Sequence, residues 1–558
     1  MAPSRAFGFL LILLLALPEL APATGVFQVR RKFRRHAAGE EDAEGHLAAL
    51  RRHDARRHGR LLGEVDLPLG GIGLPTETGL YYTQLKIGSP AKGYYVQVDT
   101  GSDILWVNCI RCDGCPTRSG LGVQLSASPF PSSPIPYRPP ISSTLRLFEL
   151  TQYDPAGSGT TVGCDQDFCV ANYGGVPSAC TSTLPCQFSI SYGDGSSTTG
   201  FFVSDVLRYD QVTGDGRTAP ANASVTFGCG AQLGGDLGSS SQALDGILGF
   251  GQSNSSMLSQ LAAAGKVRKI FAHCLDTVNG GGIFAIGNVV QPRVKTTPLV
   301  TGMPHYNVNL KGIAVGDVTL QLPTTTSGTD QNRGTIIDSG TTLTYLPEAV
   351  YDSLIAVVFN KYQDMNFHSY QDFRCFKFSG DIDDGFPIIT FNFEDDLALN
   401  VYPHEYLFEY TRDFYCVGFL NGGLQTKDGK DMVLLGDLVL SNKLVVYDLE
   451  NQVIGWTDYN CSSSIKIKDD NTGATYTVDA HNISSGWRFQ WHKSLILLNH
   501  VTSQSAVDPI LRYLKHGEDN LGAICEKLIA YGNEGGDNLT VIIILFKKPA
   551  PSTEQSPD

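Results

Sequence analysis

Asp99-Thr100-Gly101-Ser102-Asp103-Ile104-Leu105-Trp106-Val107 decides the fold, because it returns 239 residues later as Asp338-Ser339-Gly340-Thr341-Thr342-Leu343-Thr344-Tyr345-Leu346. Both copies run Asp, a small hydroxyl residue, Gly, a second hydroxyl residue, then an apolar and aromatic run. The residues before them, 94–98 and 335–337, are rich in β-branched and aromatic types, as strands are. The Gly then permits a tight turn that a Cβ would obstruct. Each carboxylate is therefore expected at a strand end, held by hydroxyls and backbone N–H groups. A single Asp-Thr-Gly marks an ordinary turn. Two copies with matching flanks, each in a half-chain long enough to form a lobe, point to paired carboxylates.

Two more features fall into place around the repeat. Ser189-Ile190-Ser191-Tyr192-Gly193-Asp194-Gly195-Ser196 reads as a strand, a Gly-rich tip and a returning strand, which is a β-hairpin. Asp245-Gly246-Ile247-Leu248-Gly249 and Val433-Leu434-Leu435-Gly436-Asp437 form a second repeated pair, each with two apolar residues ending in Gly. With these motifs, residues 70–461 resemble the pepsin-like aspartic proteases, and the cysteine pattern resembles their plant, nepenthesin-type branch. The resemblance implies an all-β, bilobal fold of two mostly antiparallel lobes with a cleft between them. It implies Asp99 and Asp338 as the catalytic pair, supported by Thr100, Gly101, Ser102, Ser339, Gly340 and Thr341. It makes the hairpin a flap over substrate, with Tyr192 and Gly193 at its tip and Trp106 beneath. The expected partner is an extended polypeptide substrate met by a monomer, with no cofactor, metal or nucleic acid. The competing expectations are a non-catalytic binding or inhibitor protein on the same fold, and a poorly folding chimeric gene product; relatives of the first kind typically lose an Asp or its Gly, and this chain keeps both.

Composition agrees with a turn-dense β protein: 60 Gly, 28 Pro and 10% aromatics among 558 residues. Residues 1–23 read as a secretory signal, with Arg5, an apolar run from Phe7 to Leu17, and small residues at Ala21 and Ala23. The run is too short to span a bilayer. Thirteen Cys fit an oxidising compartment, so the chain is expected in the secretory pathway, outside the cell or in the cell wall, with the vacuole as an alternative destination. Between Thr24 and Gly63 ten Lys and Arg face five Asp and Glu, although the whole chain is at −14. In an exported protein this basic block reads as a prosegment, placed at 24–69, that pairs with body carboxylates at neutral pH and releases as they protonate.

The N-terminal lobe is placed at 70–295 and the C-terminal lobe at 296–461. Residues 126–150 are Pro- and Ser-rich without strand alternation and read as an insertion. Helices are expected at 256–264 and 347–362. Cys109-x-x-Cys112-x-x-Cys115 has no matching Cys or His set at finger spacing, so disulfides are favoured over zinc. Sequence alone leaves the connectivity open. The family resemblance implies the pairs Cys109–Cys112, Cys115–Cys229, Cys164–Cys186, Cys169–Cys180, Cys375–Cys416 and Cys274–Cys461.

After Cys461 the chain is expected as a polar tail (462–504). Ser484-Ser485-Gly486 and Leu495–Leu498 begin like a lipid-anchor signal, but four apolar residues fall short of the roughly 10–20 such a tail needs. Residues 505–558, with Gly536-Asp537-Asn538, resemble the end of a metal-dependent serine/threonine phosphatase, without the upstream carboxylates that would complete its site. Of the Asn-x-Ser/Thr sites, Asn222, Asn254 and Asn482 are glycosylation candidates, and Asn460 is set aside for its closeness to Cys461.

Overall fold

The computed structural model describes residues 63–119, 121, 148–181, 183–238, 243–321, 335–422, 431–469 and 472–484. The signal, nearly all of the basic leader, the insertion up to residue 147, and the anchor-like and phosphatase-like stretches lie outside the described residues.

The fold is built from strands, and among the described residues the largest sheet has fifteen. Two long strands, Ser197–Gly214 and Arg217–Gly234, pair antiparallel along most of their length and carry the N-terminal lobe. The C-terminal lobe is made of smaller sheets of four or five strands. The large sheet also joins the halves, because Lys443–Asp448 pairs with Ile270–Leu275. Cys274–Cys461 closes the same junction.

An aromatic cluster fills the junction. Phe250, Phe271 and Phe284 come from the first half, Tyr306 and Tyr447 from the second. Phe271 stacks on Tyr447 at 4.3 Å between centroids, and Phe250 meets Phe271 edge-on at 4.8 Å. Such pairs contribute roughly 0.5–1.5 kcal/mol each beyond their buried area. The two lobes are thus held by packing as well as by a covalent link.

Helices form at Met257–Ala263 and Glu348–Val358, inside the expected ranges, the first capped by the Ser256 hydroxyl on Ser259 N–H. A short helix at Asp167–Tyr173 was not anticipated, and it explains one correction to the disulfides. It turns Cys169 into the core against Cys186, and Cys164 pairs with Cys180. The second correction concerns Cys109. Along the strand Leu105–Asp113 it faces inward beside the parallel strand carrying Cys229, and these two are bonded. Cys112 and Cys115 close the turn at Gly114 instead. Only Cys375–Cys416 and Cys274–Cys461 stand as the resemblance implied.

Both ends of the protease body also differ from expectation. Val65–Asp66, assigned to the prosegment, is a buried strand between Gln211 and Ile286. Ser464–Lys468 and Thr475–Asp479, assigned to the polar tail, form a hairpin on Asn288–Gln291. Their sequences, Ser-Ile-Lys-Ile-Lys and Thr-Tyr-Thr-Val-Asp, alternate with period two, which buries Ile465, Ile467 and Val478. The two ends meet: His481 Nε2 lies 2.8 Å from Asp66 Oδ2, and Ile483 N–H donates to Leu69 O at 2.9 Å. At the edge of the expected insertion, Phe148–Glu149 pairs with Arg118–Ser119.

Candidate active site

Each repeat forms the same local structure. Lys92–Asp99 and Leu105–Asp113 flank Gly246–Gly249, which runs parallel to the first and antiparallel to the second. Thr335–Ile337 and Thr344–Leu346 flank Leu434–Leu435 in the same two senses. The apolar pair ending in Gly is thus threaded between the two arms of its own Asp loop. Gly251 N–H donates to Ser102 O at 2.8 Å, and Asp437 N–H donates to Thr341 O at 2.7 Å. A Cβ at Gly249 or Gly436 would collide with the loop backbone, so the thread needs Gly there.

This threading holds both carboxylates in place. Asp99 accepts from Gly101 N–H at 2.8 Å and from Ser102 Oγ at 2.5 Å. Asp338 accepts from Gly340 N–H and from Thr341 Oγ1, both at 2.7 Å. Each carboxyl lies against the glycine of the other's loop, which brings the two close together. A side chain at Gly101 would strike the Asp338 carboxyl, and one at Gly340 would strike that of Asp99. The glycines are therefore required by the close approach of the opposite carboxylate as well as by the turn.

Both Asp residues are buried, at 6% and 7% exposure. Burial, and then the negative charge of Asp338, push the Asp99 carboxyl up to about 7. Desolvation and a like charge both disfavour the ionised form, so the pair retains one proton well above the usual carboxylate range. A third carboxyl, Asp437, is fully buried nearby and is held neutral by desolvation and by the charges of Asp338 and Asp99. The sequence marks its segment only as half of a repeated apolar pair ending in Gly.

Contacts between the halves align the loops. Ser339 N–H donates to Thr100 Oγ1 at 2.8 Å. Gln97 Nε2 donates to Gly340 O at 3.0 Å, and His305 Nδ1 to Gly101 O at 2.9 Å. Each glycine carbonyl is thus held by a side chain of the other half. No sequence pattern marked Gln97 or His305.

The hairpin rises from Gln187–Ser191, directly after the Cys186–Cys169 disulfide that anchors its base. Its tip is tied by Asp194, which accepts from the N–H and hydroxyl of Ser196. Gly195 takes the left-handed φ of +83°, and Gly193 is exposed at the tip. Trp106 Nε1–H donates to Tyr192 Oη at 2.7 Å. Burial, followed by the charge of Asp99, raises the Tyr192 hydroxyl, so it stays protonated beside the pair. Of the glycosylation candidates, Asn222 and Asn254 are exposed, whereas the Asn482 amide donates to Asn279 O. Asn460, set aside on sequence, is exposed.

A family profile described as xylanase inhibitor N-terminal matches residues 81–288, and one described as xylanase inhibitor C-terminal matches 305–458. Aspartic proteinase 36 of Arabidopsis thaliana is 47% identical over 501 residues, 89% of this chain and 96% of that protein. Aspartic proteinase 39 of the same plant is 47% identical over 471 residues, 84% and 91% of the two chains. Aspartic proteinase nepenthesin-1 of Nepenthes gracilis is 27% identical over 404 residues, 69% and 79%. Basic 7S globulin from soybean shares the fold alone, with a TM-score of 0.52 at 18% identity over 72% of this chain and 96% of that one. With the paired Asp loops, the threaded Gly segments and these relatives taken together, the chain belongs to the pepsin-like aspartic protease family.

Proposed function

We propose that this chain is an aspartic endopeptidase that hydrolyses peptide bonds in extended polypeptide segments at acid pH, with Asp99 and Asp338 acting on one water. The observation that carries the reading is the close approach of the two carboxyls, each lying against the other loop's glycine and held by its own loop's glycine N–H and hydroxyl. With one proton shared, the ionised member takes a proton from the water as general base. The protonated member donates to the scissile carbonyl and polarises it. Water adds to the carbon, a tetrahedral diol forms, and proton transfer to the amide nitrogen releases the two peptides. The near-equivalent loops let the pair act as a unit in which neither residue is assigned one fixed role.

The hairpin supplies a cover that limits access of bulk water, with Tyr192 held by Trp106. The signal-like leader and the six disulfides support a secretory route. The basic leader fits an inhibitory prosegment. Its release point then lies before Val65, because that residue is already a strand of the body.

The test is cleavage of an unfolded protein at acid pH by wild type and by Asp99→Asn and Asp338→Asn. Loss of activity in both variants supports the reading. Wild-type turnover in either one overturns it. A wild type that folds and binds protein partners without hydrolysis would mark a binding protein on this fold.

A further inference from the structure

We propose that Gln97 and His305 are positioning residues, a crossed pair of donors with which each half of the protein holds the other half's loop glycine against its own Asp carboxyl. The proposal deepens the peptidase reading and rests on it for its kinetic part.

A loop glycine has no side chain, so its N–H and its C=O are the two polar groups by which it can be held. The N–H is used within the loop: Gly101 donates to Asp99 at 2.8 Å and Gly340 to Asp338 at 2.7 Å. The C=O is held from across the junction. His305 Nδ1 lies 2.9 Å from Gly101 O, and Gln97 Nε2 lies 3.0 Å from Gly340 O.

The origin of each donor gives the arrangement its sense. Gln97 stands two residues before Asp99 on the strand Lys92–Asp99, and residues two apart share one face of a strand. Gly340, which Gln97 holds, is the glycine that lies against the Asp99 carboxyl. His305 stands just before Asn307–Val308, which pairs with Thr335–Ile337, the strand that leads into Asp338. Gly101, which His305 holds, lies against the Asp338 carboxyl. Each half thus presents a carboxyl and, beside it, the donor that keeps the opposite glycine on that carboxyl. Because each glycine also holds its own Asp by its N–H, the two donors set the separation of the pair from both sides. The Thr100–Ser339 bond ties the loops at a separate point.

That separation matters for the chemistry. Repulsion between like charges weakens with distance, so the closer the two carboxyls are held, the higher the pH at which the pair gives up its last proton. Loosening one glycine lets the carboxyls draw apart and lose the shared proton at lower pH. Among the described residues Asp437, Tyr192 and Tyr447 also feel the charge of the pair. Gln97 carries no charge, so replacing it acts on the pair through geometry alone. His305 and Asp103 act on each other electrostatically, so the pH measurement belongs to Gln97.

The tests use the full chain. Gln97→Met removes the donor and keeps the side-chain length. It should lower kcat about tenfold with KM within about twofold, as expected for a misplaced pair. It should also move the alkaline limb of the kcat/KM profile to lower pH by about half a unit or more, since that limb reports the pair in the free enzyme. His305→Leu should lose about as much kcat, and His305→Asn, whose amide nitrogen can stand near the place of Nδ1, should recover most of the loss. Wild-type kcat in Gln97→Met, an alkaline limb that does not move, or no rescue by Asn would overturn the proposal. A further readout needs neither activity nor a folded Gln97 variant. A carbonyl only accepts, so neutral His305 should be the Nδ1–H tautomer in nitrogen NMR of histidine-labelled wild type, assigned by its loss in His305→Asn. An Nε2–H ring would overturn the His305 arm and with it the crossed pair. If Asp99→Asn keeps wild-type turnover, the peptidase reading fails instead, and the tautomer alone decides whether His305 holds the glycine.

Discussion

The Asp99 and Asp338 loops are built alike and braced differently. Each carboxyl takes one glycine N–H and one hydroxyl of its own loop, within 2.5–2.8 Å. Beyond the loop and the Gly-ended segment threaded through it, the similarity ends. The Thr100 hydroxyl accepts the Ser339 N–H at 2.8 Å, whereas the Ser339 hydroxyl has no partner among the described residues. Trp106 supports a flap tyrosine, while Tyr345, at the matching place in the second repeat, is half-buried on the short strand Thr344–Leu346. Repeated sequence secures repeated chemistry at the carboxylates, while the surroundings of each copy have been free to diverge.

The largest effect should be symmetrical. Asp99→Asn and Asp338→Asn should each lower kcat by about three orders of magnitude or more, since either one removes the shared proton or the base. A difference greater than about tenfold between the two, in steady-state assays at acid pH, would break the equivalence of the loops.

The next effect should fall on one side only. Tyr192→Ala removes the hydroxyl held by Trp106 and should cost about 10–100-fold in kcat/KM, as loss of a positioning contact does. Tyr345→Ala should cost less than about threefold. Equal losses from the two would mean that the C-terminal lobe carries a comparable cover.

Stability should separate the two hydroxyl residues. Thr100→Ala leaves the buried Ser339 N–H without its acceptor and should destabilise by about 1–3 kcal/mol. Ser339→Ala removes a hydroxyl without a partner and should stay within about 0.5 kcal/mol of wild type. Denaturant unfolding of the two variants provides the comparison, and a larger loss in Ser339→Ala would reverse it.

The smallest effect depends on pH. The Asp99 carboxyl titrates at about 7 in the folded chain against an ordinary value of 3.8. The native state therefore binds the extra proton, and Asp99's contribution to stability falls as pH rises from about 3.8 to about 7. Asp245, pushed up to about 6 by burial, acts in the same direction. Asp99→Asn should consequently raise the melting temperature at pH 8, by an amount equivalent to about 1 kcal/mol or more, and leave it unchanged at pH 3.5. A gain at pH 3.5 as large as that at pH 8 would show that the carboxyl is not strained by its surroundings.

Sequence by itself determined what depends on local pattern. The twin Asp-hydroxyl-Gly units, the Gly-ended apolar segments and the Tyr192 hairpin were legible because turns, alternation and close backbone approach restrict residue type within a few positions. The hairpin at 464–479 was equally legible from its alternation, although its polar faces hid it. Tertiary structure alone decided the features that join distant residues. Cys109 finds Cys229 because two strands lie side by side 120 residues apart, and Cys169 faces Cys186 because a seven-residue helix turns it inward. Val65 became part of the body by pairing with residues near 211 and 286. Gln97, His305 and Asp437 carry no local signature. Each acquires its role from a neighbour that only the packing of the two halves supplies, since hydrogen bonding and desolvation depend on spatial proximity rather than on order along the chain.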